Sequence, residues 1–212
     1  MIRFKDRIDG GKKLAVLLAS YENNPNAIVI GLPRGGIVTA YQVAHVLKLP
    51  LDLVVSRKIC APTSSELAVG ALTQEGNVVW NDALLKQLGL TIPDLAESIE
   101  KEKKESARRL NLYRGTRPPL NVKDKIVILV DDGIATGATM QAAIVSVHAQ
   151  GAKKIVVAIP VSSRDALKKI KKEADEVVCV TVPEIFWGVG AFYDLFNQTE
   201  DEEVVELLKK KR

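Results

Sequence analysis

The stretch VILVDDGIATGAT, residues 127–139, decides the fold of this chain. It begins as an apolar, β-branched run, continues with the adjacent carboxylates Asp131 and Asp132, and ends in a loop of small residues that leads into a helical pattern. In open parallel sheets, ligands bind beyond the carboxyl ends of the strands. A helix N-terminus offers unpaired N–H groups and partial positive charge to a phosphate. The stretch therefore predicts a strand, an anion-binding loop and the start of a helix.

The residue types in this stretch suit a sugar phosphate. Thr136 and Thr139 can donate hydroxyl hydrogen bonds, and Gly137 lets the backbone come close to a ligand. Asp131 and Asp132 would repel a phosphate, so they need another role. They can accept hydrogen bonds from vicinal sugar hydroxyls or hold a hydrated Mg²⁺. The combination predicts a ribose 5-phosphate site, with the diol on the aspartates and the phosphate on the loop.

Other sites that combine a strand, a loop and a helix fit this stretch less well. A P-loop needs a lysine directly after its last glycine, and none follows Gly137. A dinucleotide fingerprint needs the spacing G-x-G-x-x-G, which this stretch lacks. A receiver domain carries its paired acids after its first strand, whereas strand-like runs already precede Asp131. A strand–turn–helix with a purely structural role stays open as an alternative.

The rest of the chain alternates short apolar runs with helical patterns. Runs that are apolar on both faces are typical of parallel strands covered by helices on each side. Ser163 is expected to begin one helix and Gly151 to follow the end of another. The pattern predicts an α/β doubly wound fold of mostly parallel strands with helices on both faces, in a single domain over residues 1–212. The predicted strands are residues 27–32, 51–56, 126–130, 155–159 and 176–182, and the predicted helices are residues 36–47, 139–150 and 163–172.

Two segments interrupt this alternation. Residues 58–81 are rich in Pro, Ser, Thr and Gly and have alternating apolar residues near their end. They predict a mobile loop that contains or precedes a short hairpin. Residues 82–114 predict a helical insertion, and its densely charged part, residues 97–109, is typical of a solvated helix.

A second candidate anion site is GLPRGG, residues 31–36, where the first predicted strand meets a helix. Arg34 offers a guanidinium fork to phosphate oxygens. Gly35 and Gly36 open backbone N–H groups to an anion. A plain turn between a strand and a helix is the structural alternative for this motif.

Composition excludes several classes of protein. With 47% apolar and 26% charged residues, the chain has globular rather than disordered proportions. A dispersed net charge of +4 gives no argument for a nucleic acid partner. Two distant cysteines, Cys60 and Cys179, fit neither a disulfide scaffold nor a thiolate metal site. The chain shows no signal peptide and no apolar run of membrane-spanning length, so we expect a cytoplasmic protein without a membrane partner.

VILVDDGIATGAT resembles the phosphoribosyl pyrophosphate signature of type I phosphoribosyltransferases. The longer pattern, with GLPRGGIVTA near the front and VGAFYDLF near the end, is similar to a poorly characterised bacterial and archaeal branch of that family. The resemblance implies a Mg²⁺-dependent transferase of nucleotide metabolism. Such an enzyme moves a 5-phosphoribosyl group from phosphoribosyl pyrophosphate to a nitrogen acceptor, such as a nucleobase, and releases pyrophosphate. A homodimer is the default expectation for its assembly.

The resemblance also implies roles for individual residues. Asp131 and Asp132 would hold the ribose hydroxyls and help to place Mg²⁺ through water, and one of them could take a proton from the acceptor. The residues expected to bind the 5-phosphate are Ala135, Thr136, Gly137, Ala138 and Thr139. The residues expected to bind pyrophosphate are Arg34, Gly35 and Gly36, assisted by Arg57 and Lys58.

Two segments are expected to cover this site. In the family, a flexible loop closes over the substrate and excludes water, and Arg57 and Lys58 begin the matching segment here. An exposed loop charge is the alternative role for each of the two cations. Residues 183–199 are the expected hood, because five of the ten aromatic residues lie between positions 186 and 196. The residues predicted to stack on a base are Phe186, Trp187, Phe192 and Tyr193, and a small apolar core is their alternative role.

Two other functions stay open at the level of sequence. A non-catalytic sensor that binds phosphoribosyl pyrophosphate or a nucleotide would carry the same fold and the same acidic loop. The cations of the mobile loop, Arg57 and Lys58, weakly favour catalysis over sensing. A module that works beside a hydrolase is the third possibility, and one chain alone does not reveal it.

Overall fold

The computed structural model describes residues 2–62 and 64–210, apart from the side chains of residues 64–66. Residues 1, 63, 211 and 212, which the predicted domain includes, lie outside the described part. The strands are β1 (Ala27–Gly31), β2 (Leu51–Leu53), β3 (Arg57–Ala61), β4 (Ser64–Leu72), β5 (Val78–Trp80), β6 (Ile126–Val130), β7 (Lys154–Val161) and β8 (Glu176–Thr181). The helices are α1 (Arg7–Leu17), α2 (Gly35–Leu47), α3 (Asp82–Leu88), α4 (Ala96–Arg114), α5 (Ala138–Ala149), α6 (Arg164–Ile170) and α7 (Asp201–Lys210).

The larger sheet has five strands in the order β2–β1–β6–β7–β8, and all neighbouring strands are parallel. Its strands are apolar on both sides because the sheet has a core on each face. Val29 and Ile128 face one core, in which helices α1, α2 and α7 pack. Ile28 and Leu129 face the other core, in which α5 and α6 pack. The predicted α/β fold, with parallel strands between layers of helices, is confirmed.

The local signals for helix ends are confirmed as well. The Ser163 hydroxyl accepts a hydrogen bond from the Ala166 N–H at 3.1 Å, which caps the start of α6. Gly151 follows α5 with a φ of +81°, a conformation that glycine adopts at little cost. The second strand is shorter than the predicted 51–56, because Val54, Val55 and Ser56 leave the strand and stay buried.

The prediction for residues 58–81 is partly wrong: strands stand where a mobile loop was expected, but the predicted short hairpin is present as the antiparallel pair β4 and β5. In the described part of this segment, β3, β4 and β5 form a three-stranded antiparallel sheet. Ile59, Val69 and Leu72 are buried in a separate apolar cluster, to which Leu85 of α3 and Leu95 also belong. The small residues of β4 hide this strand in the sequence, because Ala and Gly carry little strand propensity.

The predicted helical insertion, residues 82–114, is two helices rather than one. Gly89 ends α3 with a φ of +64°, and the chain resumes as α4 after a short 3₁₀ turn, Pro93–Leu95. Within residues 2–62 and 64–210, no helix combines the length and the apolar character that a membrane crossing requires.

Candidate active site

The two acids lie where β6 ends, at the carboxyl edge of the parallel sheet. Both side chains are half-buried. Asp131 Oδ1 accepts the backbone N–H of Asp132 at 2.8 Å. The hydroxyl of Tyr193 donates to the backbone carbonyl of Asp132 at 2.5 Å. The pair is therefore held by the strand on one side and by the C-terminal segment on the other.

Arg7 is a member of this cluster that the sequence did not reveal. Its Nε lies 2.6 Å from Asp132 Oδ2, and the two side chains are only 12% and 14% exposed. Arg7 opens α1, whereas Asp132 follows β6, and 125 positions separate them in the chain. No local pattern marks such a pair, because only the tertiary fold brings these residues together.

The environment opposes ionisation of both acids. Burial, together with the neighbouring charge of Asp132, raises the pKa of Asp131 well above its ordinary value of 3.8. Burial also raises the pKa of Asp132, while the Arg7 guanidinium works against that rise. The site therefore holds two adjacent carboxyl groups with different electrostatic surroundings.

The loop after the acids has the geometry of an anion site at a helix N-terminus. Gly137 precedes α5 with a φ of +90° and gives the loop its turn. Ala135 and Thr136 are exposed, while Ala138 and Thr139 form the half-buried first turn of the helix. Two hydroxyls fix the loop, since Ser163 donates to the carbonyl of Ala135 at 2.7 Å and Ser56 donates to that of Thr139 at 2.9 Å.

The second glycine-containing loop packs directly against the acids. A Cβ on Gly36 would lie 2.6 Å from Asp131 Oδ1, and a Cβ on Gly35 would lie 2.6 Å from Arg7 Nε. The peptide bond between Pro33 and Arg34 is cis. The structure thus brings the residues predicted to bind pyrophosphate next to the residues predicted to bind ribose.

Two of the cations predicted at the pyrophosphate site, Arg34 and Arg57, already have carboxylate partners. Arg34 NH1 lies 3.4 Å from Glu200 Oε2 and 3.9 Å from Asp201 Oδ1. Arg57 Nε lies 2.6 Å from Glu102 Oε2 of α4. An anion entering the site would have to share or displace these partners.

A cavity of about 600 Å³ adjoins the two loops. Pro33 and Thr139 form one side of it, and Arg57 and Lys58 of β3 form another. Helix α4 forms the remaining wall, including Lys101 and Glu102. The charged face of α4 was expected to be solvated, so sequence reasoning missed its contribution to this cavity.

The C-terminal segment covers the acidic loop, but two of its aromatic rings are buried beneath it and are not open to a ligand. Phe192 and Tyr193 are 1% and 3% exposed and pack with Phe4. The prediction that these two stack on a base is wrong, because they form the apolar core beneath the segment. Phe186 stacks on Phe192 with 5.6 Å between ring centroids, whereas Trp187 is 79% exposed.

The donor set at the acids suits Mg²⁺ and no cation that needs a complete protein cage. Among the described residues, no group of three or more His, Cys, Asp or Glu side chains could hold a metal ion. Mg²⁺ prefers oxygen ligands and keeps several waters, so one or two carboxylates with substrate phosphates are enough for it. Asp131 and Asp132 fit this role.

Comparison with known proteins identifies the family. A family model described as "Phosphoribosyl transferase domain" matches residues 5–196. The Mycobacterium tuberculosis H37Rv protein named "Putative phosphoribosyl transferase Rv0571c" is 40% identical over 207 residues, which cover 98% of this chain and 46% of that protein. The chain thus spans about half the length of the curated relatives that it matches.

Solved structures agree with this result. The structure of TT1426 from Thermus thermophilus has 38% sequence identity and a TM-score of 0.83, with 99% of both chains covered. A hypothetical protein from Neisseria gonorrhoeae has 13% identity and a TM-score of 0.50 over 100% of this chain and 99% of that chain, which shows a shared fold alone. The family model matches residues 5–196, and the Mycobacterium tuberculosis and Thermus thermophilus proteins named above are 40% and 38% identical over nearly all of this chain. This chain therefore belongs to the phosphoribosyl transferase domain family.

Proposed function

We propose that the chain transfers the 5-phosphoribosyl group of phosphoribosyl pyrophosphate to a nitrogen acceptor of the nucleobase class. One observation carries this proposal: Gly35 and Gly36 pack against Asp131 and Asp132 at the edge of the sheet where α5 begins. Three subsites are therefore adjacent, for an anion, for a diol and for a second anion. Phosphoribosyl pyrophosphate carries these three groups in that order along one molecule.

The N-terminus of α5 is the proposed 5-phosphate subsite. The backbone N–H groups of Ala138 and Thr139 lie in the first turn of a 12-residue helix and have no partner within that helix. The hydroxyls of Thr136 and Thr139 add donors. Asp131 and Asp132 would then bind the sugar diol, and the loop of Gly35 and Gly36 would bind the pyrophosphate.

In the proposed reaction, the acceptor nitrogen forms a bond to the anomeric carbon while the bond from that carbon to pyrophosphate oxygen breaks. The bonding electrons leave with pyrophosphate, and the proton of the acceptor nitrogen passes to one of the two acids. Catalysis rests on positioning and on electrostatic stabilisation of separated charge. Mg²⁺, when bound, would neutralise charge on the pyrophosphate.

The cations around the cavity suit the departing pyrophosphate. Arg34 and Arg57 are held by carboxylates rather than buried alone, so both can exchange those partners for phosphate oxygens. Lys58 lines the same cavity. Strands β3 and β4, which stand where a loop was expected, would exclude water from the site together with helix α4.

The acceptor side is proposed to lie under the C-terminal segment. A Cβ on Gly133 would lie 2.6 Å from the Val189 side chain, so this segment packs directly on the acidic loop. Within the proposed hood, Trp187 is exposed and so can offer the face of its ring to a base.

Replacement of Trp187 by Ala tests this part of the proposal. Because the ring is exposed, the free energy of unfolding is expected to change by at most about 0.5 kcal/mol. Loss of stacking on a base is expected to raise the acceptor KM by roughly fivefold to tenfold, with the phosphoribosyl pyrophosphate KM unchanged. Leu195→Ala, in the same segment and 62% exposed, is the control. Equal KM values for the two variants would remove Trp187 from the acceptor site.

The activity itself is tested by pyrophosphate release from phosphoribosyl pyrophosphate and Mg²⁺ over a panel of purines, pyrimidines and small amines. Turnover with one acceptor class, lost on chelation of Mg²⁺, is the expected result. Binding of phosphoribosyl pyrophosphate without turnover across the panel would favour a non-catalytic sensor. Absence of both binding and turnover would contradict the proposal.

A further inference from the structure

Arg7 has three restraints on one guanidinium group. Its Nε contacts Asp132 Oδ2 at 2.6 Å, and its NH1 donates to the backbone carbonyl of Asn197 at 2.7 Å. Its central carbon lies 3.9 Å from the centroid of the Phe196 ring. A charged side chain with restraints on two edges and one face has little freedom left. The guanidinium therefore has one defined position beside the acidic pair.

The base of Arg7 is fixed as well. Arg7 is the first residue of α1, and the preceding Asp6 caps that helix by accepting the Asp9 N–H at 2.8 Å. The side chain thus leaves from an ordered helix start rather than from a loose terminus. Both ends of Arg7, its backbone and its guanidinium, are anchored.

The ion pair forms part of the wall of the proposed site. A Cβ on Gly35 would lie 2.6 Å from Arg7 Nε and 2.9 Å from its NH2, and it would also meet the Asp132 carboxylate. The loop proposed to bind pyrophosphate therefore packs on the pair without any intervening side chain. A change in the position of Arg7 would therefore displace both Asp132 and this loop.

A purely structural salt bridge is the competing explanation, and the chain offers a comparison for it. Arg3 also joins the N-terminal segment to the C-terminal segment, through Asp194 at 2.9 Å, but its side chain is 56% exposed. That pair joins the two segments without contact to the acids. A half-buried pair such as Arg7 and Asp132 is a weak source of stability, because desolvation offsets most of the attraction. Its distinctive effect is to orient the Asp132 carboxylate.

We propose that Arg7 is a positioning residue, which fixes the Asp132 carboxylate for the ribose hydroxyls and couples the C-terminal segment to the sugar subsite. This inference rests on the proposed function. Through Arg7, the contacts with Phe196 and Asn197 influence the affinity for phosphoribosyl pyrophosphate. The same contacts hold the C-terminal segment over the proposed acceptor side. Arg7 touches Asp132 and not the reacting atoms, so its effect passes through that carboxylate.

Arg7→Gln, Arg7→Lys and Arg3→Gln, compared with the unaltered protein, test the inference. Kinetics over both substrates, calorimetric binding of phosphoribosyl pyrophosphate and thermal unfolding are measured for each. Loss of the charge-assisted contact in Arg7→Gln is expected to raise the phosphoribosyl pyrophosphate KM and Kd by about tenfold or more. Because the diol is held in the ground state as well as in the transition state, kcat is expected to fall by less than about threefold.

The two other variants separate positioning from structure. Arg7→Lys keeps the charge and loses the fork, so its KM is expected between those of Arg7→Gln and the unaltered protein. Arg3→Gln removes an exposed pair and should leave KM within about twofold. A phosphoribosyl pyrophosphate KM for Arg7→Gln and Arg7→Lys equal to that of Arg3→Gln, in an active protein, would overturn the inference alone. An unaltered protein that neither binds nor turns over phosphoribosyl pyrophosphate would overturn the proposed function, and this inference with it.

Discussion

Asp131→Asn is expected to reduce turnover by about 100-fold or more while making the folded protein more stable. The amide keeps the shape of the carboxyl group but loses the charge that, in the proposed mechanism, faces the ribose hydroxyls and the developing positive charge on the sugar. The same charge is unfavourable in the free protein, because Asp131 is half-buried and adjacent to Asp132. In buffer with a chelator, the free energy of unfolding at pH 7 should rise by about 0.5–2 kcal/mol.

The gain in stability has a defined pH dependence. In the folded protein, the pKa of Asp131 is raised above its ordinary value of 3.8 by burial and by Asp132. The ionised form therefore destabilises the fold at every pH above that raised pKa, and the Asn variant is then more stable. As the pH falls through the raised pKa towards 3.8, Asp131 takes up its proton and the difference should disappear. Urea unfolding of both proteins at several pH values measures this change.

Asp132→Asn is expected to lose turnover to a similar extent, with a smaller gain in stability than Asp131→Asn. Burial raises the pKa of Asp132 as well, but the attraction of the Arg7 guanidinium, which is only 12% exposed, offsets part of that cost. The free energy of unfolding at pH 7 should therefore rise by less than it does in Asp131→Asn. Asp165→Asn, an exposed acid in the first turn of α6, is the control for both variants: it should leave turnover unchanged and lower the free energy of unfolding by only about 0.5 kcal/mol, through its lost interaction with the helix dipole. Equal stability changes for the three variants would contradict the electrostatic description of the pair.

The sequence predicts those parts of the molecule that depend on local order. Residues 126–130 form the predicted strand, and the acids and the small-residue loop follow it in the order that a strand, a turn and a helix require. Two-sided apolar strands indicated a covered parallel sheet, and the two cores on its faces account for them. These features are readable because strand and helix periodicities are properties of neighbouring residues.

The missed features depend on contacts between distant residues. Strand β4 carries small residues, and only its pairing with β3 and β5 makes it a strand. The cluster of aromatic residues near the C-terminus indicated a cover, yet the burial of Phe192 is set by Phe4 at the other end of the chain. Arg7 reaches Asp132 for the same reason. A single sequence gives the residue types of such pairs but not their proximity.

Gly36→Ala is expected to disable the site through its backbone rather than through its charges. The added methyl group would lie 2.6 Å from Asp131 Oδ1, 2.9 Å from Asp131 Cα and 3.1 Å from the carbonyl oxygen of Val130. Two of these atoms belong to the main chain at the end of β6, so they cannot move aside as a flexible side chain can. Either α2 or the acidic loop has to shift, which should lower the free energy of unfolding by about 1–3 kcal/mol.

Turnover by Gly36→Ala should fall by more than the loss of stability alone would explain. A displacement of reacting groups by about 1 Å can cost on the order of 100-fold in rate, and this substitution displaces Asp131 relative to the loop proposed to bind pyrophosphate. Gly89→Ala is the matched control, because its Cβ meets no atom within 4 Å while its φ of +64° imposes a backbone cost of about 1 kcal/mol. That control should lose stability and keep its kcat and KM. Retention of full turnover by Gly36→Ala, in a protein as stable as Gly89→Ala, would mean that contact between the glycine loop and the acids is not what assembles the site.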